Sequence, residues 1–153
     1  TELGKVDFGA DVDGATAAMQ AVFPSAAPNK HVGLNFEVAV DHPWYGEAEL
    51  QWANRKAGKL EQVSIRPRPS IGRKFTQQEA ISGCMERAFG MKPRIYESDH
   101  LAKTRDYDYV FKGGGEVRVY EHMVAIWSDR RGRLSKDTYL KILSTLDACG
   151  RGR

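Results

Sequence analysis

Long apolar runs are missing from this chain: no stretch approaches the roughly 18 to 20 residues that a bilayer-spanning helix needs, so the sequence offers no membrane segment. Cysteine is scarce. With only Cys84 and Cys149, far apart in the chain, neither a zinc knuckle nor a dense disulfide framework can be built. The four histidines, His31, His42, His100 and His122, fall at none of the HxH, HxxxH or HExxH spacings that hold a metal from one element, so no metal and no cofactor is expected.

Catalytic signatures are absent too. No serine sits in a GxSxG elbow. Asp99 with His100 and Glu121 with His122 set acids beside bases, but neighbours on a strand point to opposite faces and cannot pair directly. Asp11, Asp13 and Gly14 suggest a calcium loop until Gly14 is aligned with the loop's invariant glycine. Gly9 then stands at the first ligand position and Gln20 where a bidentate Glu is required. Gly113 to Gly115 has Arg118 in place of the third glycine of a dinucleotide loop, and it reads as a hairpin turn.

What is present describes an ordinary globular chain. The 153 residues, 41% hydrophobic and 28% charged with a mean hydropathy of -0.52, suffice for one core. The expectation is one α+β domain over 1–153, with 1–12 and 150–153 as loose termini. A net charge of +3 is mild, and the basic residues cluster in turn-like places, Arg66, Arg68 and Arg73 among them.

Along the chain, Asp13 reads as the cap of a helix over 14–23 that carries Ala15, Ala18, Met19 and Val22. Residues 32–41 alternate as a strand, His42 to Gly46 form a turn, and Ala48, Leu50 and Trp52 continue as the second strand of a hairpin. Val63 and Ile65 mark a third strand, ended by Pro67. Thr76 and Glu79 form a capping box before the stripe Ile81, Cys84, Met85, Ala88 and Phe89, which is expected to face the sheet, and Gly90 closes the helix. A short strand at 94–97, a strand from Tyr107 to Phe111, a return strand from Val117 to Trp127 and a helix capped by Ser135 and stopped by Gly150 complete the pattern. The fold class is therefore α+β: a mainly antiparallel sheet of five to six strands with about three helices packed on one face. This element order resembles that of small secretion chaperones, although those proteins tend to be acidic.

An even pair of cysteines suits a secreted chain with one bridge, so Cys84 and Cys149 are expected to be joined. A chain that begins at Thr1 is compatible with removal of a signal peptide or with a trimmed start; a periplasmic or secreted location is preferred to a cytoplasmic one. The expected function is non-enzymatic docking of a protein partner, acidic in one version, as an inhibitor, immunity protein, adaptor or chaperone would do. The predicted surface is His42, Trp44 and Tyr45 of the aromatic turn with Arg66, Arg68 and Arg73, because aromatic and arginine side chains carry most interface energy. The turn and the arginine loop are expected at opposite ends of the first three strands. Two alternatives remain: a nucleic-acid-binding module using the arginine and lysine loops, and a small enzyme whose site is assembled from distant His and carboxylate residues.

Overall fold

The structure, a computed structural model, describes residues 2–29, 34–42, 45–52, 58–67, 74–97, 104–128 and 133–151. Its elements in chain order are a 3-10 turn at Glu2–Lys5, α1 (Ala15–Gln20), β1 (Leu34–Ala39), β2 (Tyr45–Trp52), β3 (Leu60–Pro67), α2 (Lys74–Phe89), β4 (Arg94–Glu97), β5 (Arg105–Val110), β6 (Glu116–Val119), β7 (Val124–Trp127) and α3 (Lys136–Arg151). The strands form one antiparallel sheet in the order β1-β2-β3-β7-β6-β5-β4. The α+β class holds, and the strand count is higher than expected.

The extra strand comes from the segment Val117 to Trp127, which is a hairpin and not one strand. Tyr120 donates its N–H to the carbonyl of Met123 at 2.8 Å and turns the chain between β6 and β7. Val117 and Val119 are inward at odd numbers while Val124 and Ile126 are inward at even ones, a phase slip that a single strand cannot make. β7 then lies in the middle of the sheet, and Val124, Ala125 and Ile126 are buried as a two-sided apolar run requires.

Helix ends follow local chemistry, with some shifts. α1 starts after Gly14 and ends at Gln20; the Asp11 carboxylate, not that of Asp13, accepts the Gly14 N–H at 3.0 Å. α2 starts at Lys74, so Thr76 lies inside the helix and not at its cap. Gly90 ends α2 at φ +62, its N–H bonded to Glu86 at 2.9 Å, in the left-handed conformation that glycine adopts at least cost. The Ser135 hydroxyl caps α3 by accepting the Thr138 N–H at 3.1 Å, and α3 continues past Gly150 to Arg151. Gly115 is doubly constrained: its φ is +83, and a Cβ there would lie 2.7 Å from Leu134.

One apolar core lies between the sheet and the helices. Phe36, Leu50, Val63, Ile126, Val117 and Tyr109 project from successive strands against Met85, Ile142 and Leu146 of the helices. The N-terminal residues belong to this core, because Leu3, Val6 and Phe8 are buried and the Tyr139 hydroxyl donates to the Leu3 carbonyl at 3.2 Å. Each such side chain contributes about 1.5 to 3 kcal/mol of burial. On α2 the buried side is Gln78, Ile81, Ser82 and Met85, while Cys84, Ala88 and Phe89 are partly buried. Cys84 and Cys149 are bridged, with Cα atoms 5.9 Å apart, and the bond ties α2 to the end of α3.

Candidate functional site

Of the residues expected to form a docking surface, His42, Tyr45 and Arg66 fall among the described residues. His42 and Tyr45 are buried and stacked, with ring centroids 3.9 Å apart and planes 9° from parallel. Trp44, Arg68 and Arg73 lie outside the described residues. Arg66 is half exposed and ion-paired with Glu47 at 2.8 Å. Tyr45 stands opposite Pro67 in the β2–β3 register, so the turn and the arginine loop begin at the same end of the sheet, as three antiparallel strands require.

His42 finds a partner that the sequence did not indicate. Its Nε2 makes a short hydrogen bond to the Asp147 carboxylate on α3, joining the end of β1 to the last helix. Glu2, Leu3, Lys5, Val40, Asp41 and Tyr45 also line the cleft of about 310 Å³ at this junction. A histidine and a carboxylate thus meet from opposite ends of the chain. The imidazole is only 4% exposed, which suits a tie between two elements better than a base that must reach a substrate.

A second cluster occupies the sheet face turned away from the helices, near β4. In the β5–β6 register Asp108 lies opposite Arg118, and Arg118 lies opposite the small Ala125 of β7. With no bulk at Ala125, the Arg118 guanidinium extends over three rings, 4.6 Å from the Tyr96 centroid, 5.7 Å from Trp127 and 5.9 Å from Tyr120. Tyr120 and Trp127 meet edge to face at 6.3 Å. Tyr96 forms the outer wall and is 41% exposed.

The electrostatics of this cluster are unusual. The Asp108 side chain is fully buried, neither of its oxygens accepts a hydrogen bond, and its charge is met by the Arg118 Nε at 3.6 Å. Burial works against the Arg118 charge, but Asp108 and Tyr120 outweigh it and hold the guanidinium above its ordinary pKa. Asp106, two residues along on the same face, is pushed above the usual carboxylate range, chiefly by burial; Arg118 opposes this shift and Glu121 adds to it. A partly buried cation held by aromatic faces and a half-met carboxylate is a preorganised surface.

From the other side, α2 fastens these strands through buried polar groups. The Gln78 amide donates to the Val119 carbonyl at 3.0 Å and, in a shorter bond, to that of Arg105. The Tyr109 hydroxyl meets both the Ser82 hydroxyl and its carbonyl, at 2.5 and 2.7 Å.

Among the described residues no group of three or more His, Cys, Asp or Glu side chains could hold a metal ion, and no helix is long and apolar enough to cross a membrane. Comparison with protein-family models, curated proteins and solved structures finds no match.

Proposed function

We propose that this protein is a non-enzymatic binding domain of an oxidising compartment, secreted or periplasmic, that docks a protein partner through the outer sheet face at Tyr96, Arg118, Tyr120 and Trp127. The observation that carries this reading is the Arg118 guanidinium stacked among three rings, the outermost of them 41% exposed. Aromatic and arginine side chains dominate interface energy, and rigid ones bind with little ordering cost. The bridge between Cys84 and Cys149 supports an oxidising compartment, where such bonds persist. Pairing with Glu47 neutralises Arg66, which weighs against nucleic acid as the ligand. A photo-activated aromatic residue placed at Tyr96 should yield a discrete cross-linked product with a native partner, whereas one placed at Leu140, exposed on α3, should not; equal products from both positions would defeat the assignment.

One observation favours a second reading, that of a small acid–base enzyme: the His42–Asp147 pair lines a cleft. Under that reading His42→Gln abolishes hydrolysis of small activated esters or phosphate esters by the purified protein. No turnover by the unmodified protein on either class would leave the pair as a structural tie.

A further inference from the structure

We infer that β4 is a self-pairing edge and that a second copy of this chain adds to it antiparallel, joining two seven-stranded sheets across a two-fold axis centred on Ile95. The two edges of the sheet are finished differently. At β1 the outward backbone groups of Asn35 are taken by Asn29, through bonds of 2.8 and 3.1 Å. At β4 all four residues are exposed, Ile95 at 53% and Tyr96 at 41%, and the strand Arg-Ile-Tyr-Glu contains no proline, glycine or lysine to deter pairing. A regular edge with apolar side chains is a template for another strand.

The occupant follows from the order of side chains. A two-fold axis normal to the sheet keeps each face on its own side, so residues directly opposite must project to the same face. Four registers within β4 satisfy this. Centring on Arg94 or on Glu97 sets two like charges directly opposite each other, which is destabilising. Centring on Tyr96 sets the Glu97 carboxylate against Ile95. Centring on Ile95 packs the two isoleucines together on the helix-side face, and on the outer face it sets Arg94 of each copy beside Tyr96 of the other. The outer row then runs Arg118, Asp108 and Arg94 in one copy and Tyr96 and Asp106 in the next, alternating cation, anion, cation, ring and anion. That alternation selects a second copy over an unrelated strand. Both Arg118 clusters come to lie on the same side of the joined sheet.

A contact made mainly by one short strand falls below the roughly 1,200 Å² of a standard stable interface, so the pairing is reversible and dissociates on dilution. The test is light scattering on the whole chain over a wide concentration series. The mass should rise from 17.1 kDa toward twice that value, and Ile95→Lys, which opposes two ammonium groups at the axis, should weaken association at least tenfold with an unchanged melting temperature. Because both native cysteines are bridged, Ile95→Cys introduces a sole free thiol, which should oxidise to a covalent dimer faster than the thiol of Glu97→Cys. A chain that stays at 17.1 kDa throughout, a dimer indifferent to Ile95→Lys, or faster cross-linking at position 97 would each overturn the proposal. Trp127→Ala separates this inference from partner docking, since it should weaken the docking and leave the self-association constant unchanged.

Discussion

Replacing Arg118 by Met keeps an unbranched stem against Tyr96, Tyr120 and Trp127 and removes the guanidinium that is ion-paired with the buried Asp108 carboxylate. At 3.6 Å and an effective dielectric near 20, the lost attraction is about 5 kcal/mol. Removing one partner of a buried pair elsewhere costs about 3 to 5 kcal/mol. Solvent access to Arg118, which is 22% exposed, places the expected loss toward the lower end. Even about 3 kcal/mol is a large share of a total stability of about 5 to 15 kcal/mol. Urea unfolding at neutral pH, with the slope checked for two-state behaviour, measures it. Adding Asp108→Leu to Arg118→Met should restore most of the loss, because the stranded carboxylate is gone. A single-variant loss below about 1 kcal/mol, or a double variant no better than the single, would refute the view that these charges depend on each other.

Met85→Asp buries an unpaired carboxylate at a site with no solvent exposure and should abolish stable folding, a cost of several kcal/mol; a melting temperature within a few degrees of the parent would contradict the packing of α2. Replacing Cys84 and Cys149 by Ser opens a loop with a sequence separation of 65 and should cost about 4 kcal/mol, whereas two thiols that alkylate readily in the folded, non-reduced protein would rule out the bridge. Burial first, and then the neighbouring Tyr45, raise the Tyr139 pKa well above its ordinary value, so the fold favours the neutral phenol. Its contribution is intact below about pH 10 and is lost as the pH climbs beyond that. Urea melts from pH 8 to 11 should therefore show falling stability that Tyr139→Phe partly flattens, and a flat profile for the parent protein would oppose this assignment.

Much of the scaffold was legible because backbone chemistry is local. Gly90 at a left-handed φ, Ser135 at the start of α3 and the triple glycine between β5 and β6 each do what their residue types dictate. The β6–β7 turn escaped notice because Tyr120 to Met123 contains no proline or glycine, and only the odd-to-even slip of the inward valines marks it. The outer cluster was half legible. Pairing symmetrically about Gly113 sets Asp108 opposite Arg118, but the gathering of Tyr96, Tyr120 and Trp127 around that arginine depends on β7 reaching the middle of the sheet. His42 with Asp147 could not be read at all, since it joins residues 105 positions apart through the packing of α3. The aromatic turn drew attention for its composition, but Tyr45 serves the core there, where its ring supports His42.

The central claim is that the outer face around Arg118 is the docking surface. Calorimetric titration of the partner captured at Tyr96 against the parent protein, Tyr96→Ala and Leu140→Ala tests it most directly. The account predicts that Tyr96→Ala loses about 2 kcal/mol or more of binding free energy, with its melting temperature unchanged, while Leu140→Ala binds as the parent does. Full affinity in Tyr96→Ala, or an equal loss in both variants, would contradict it.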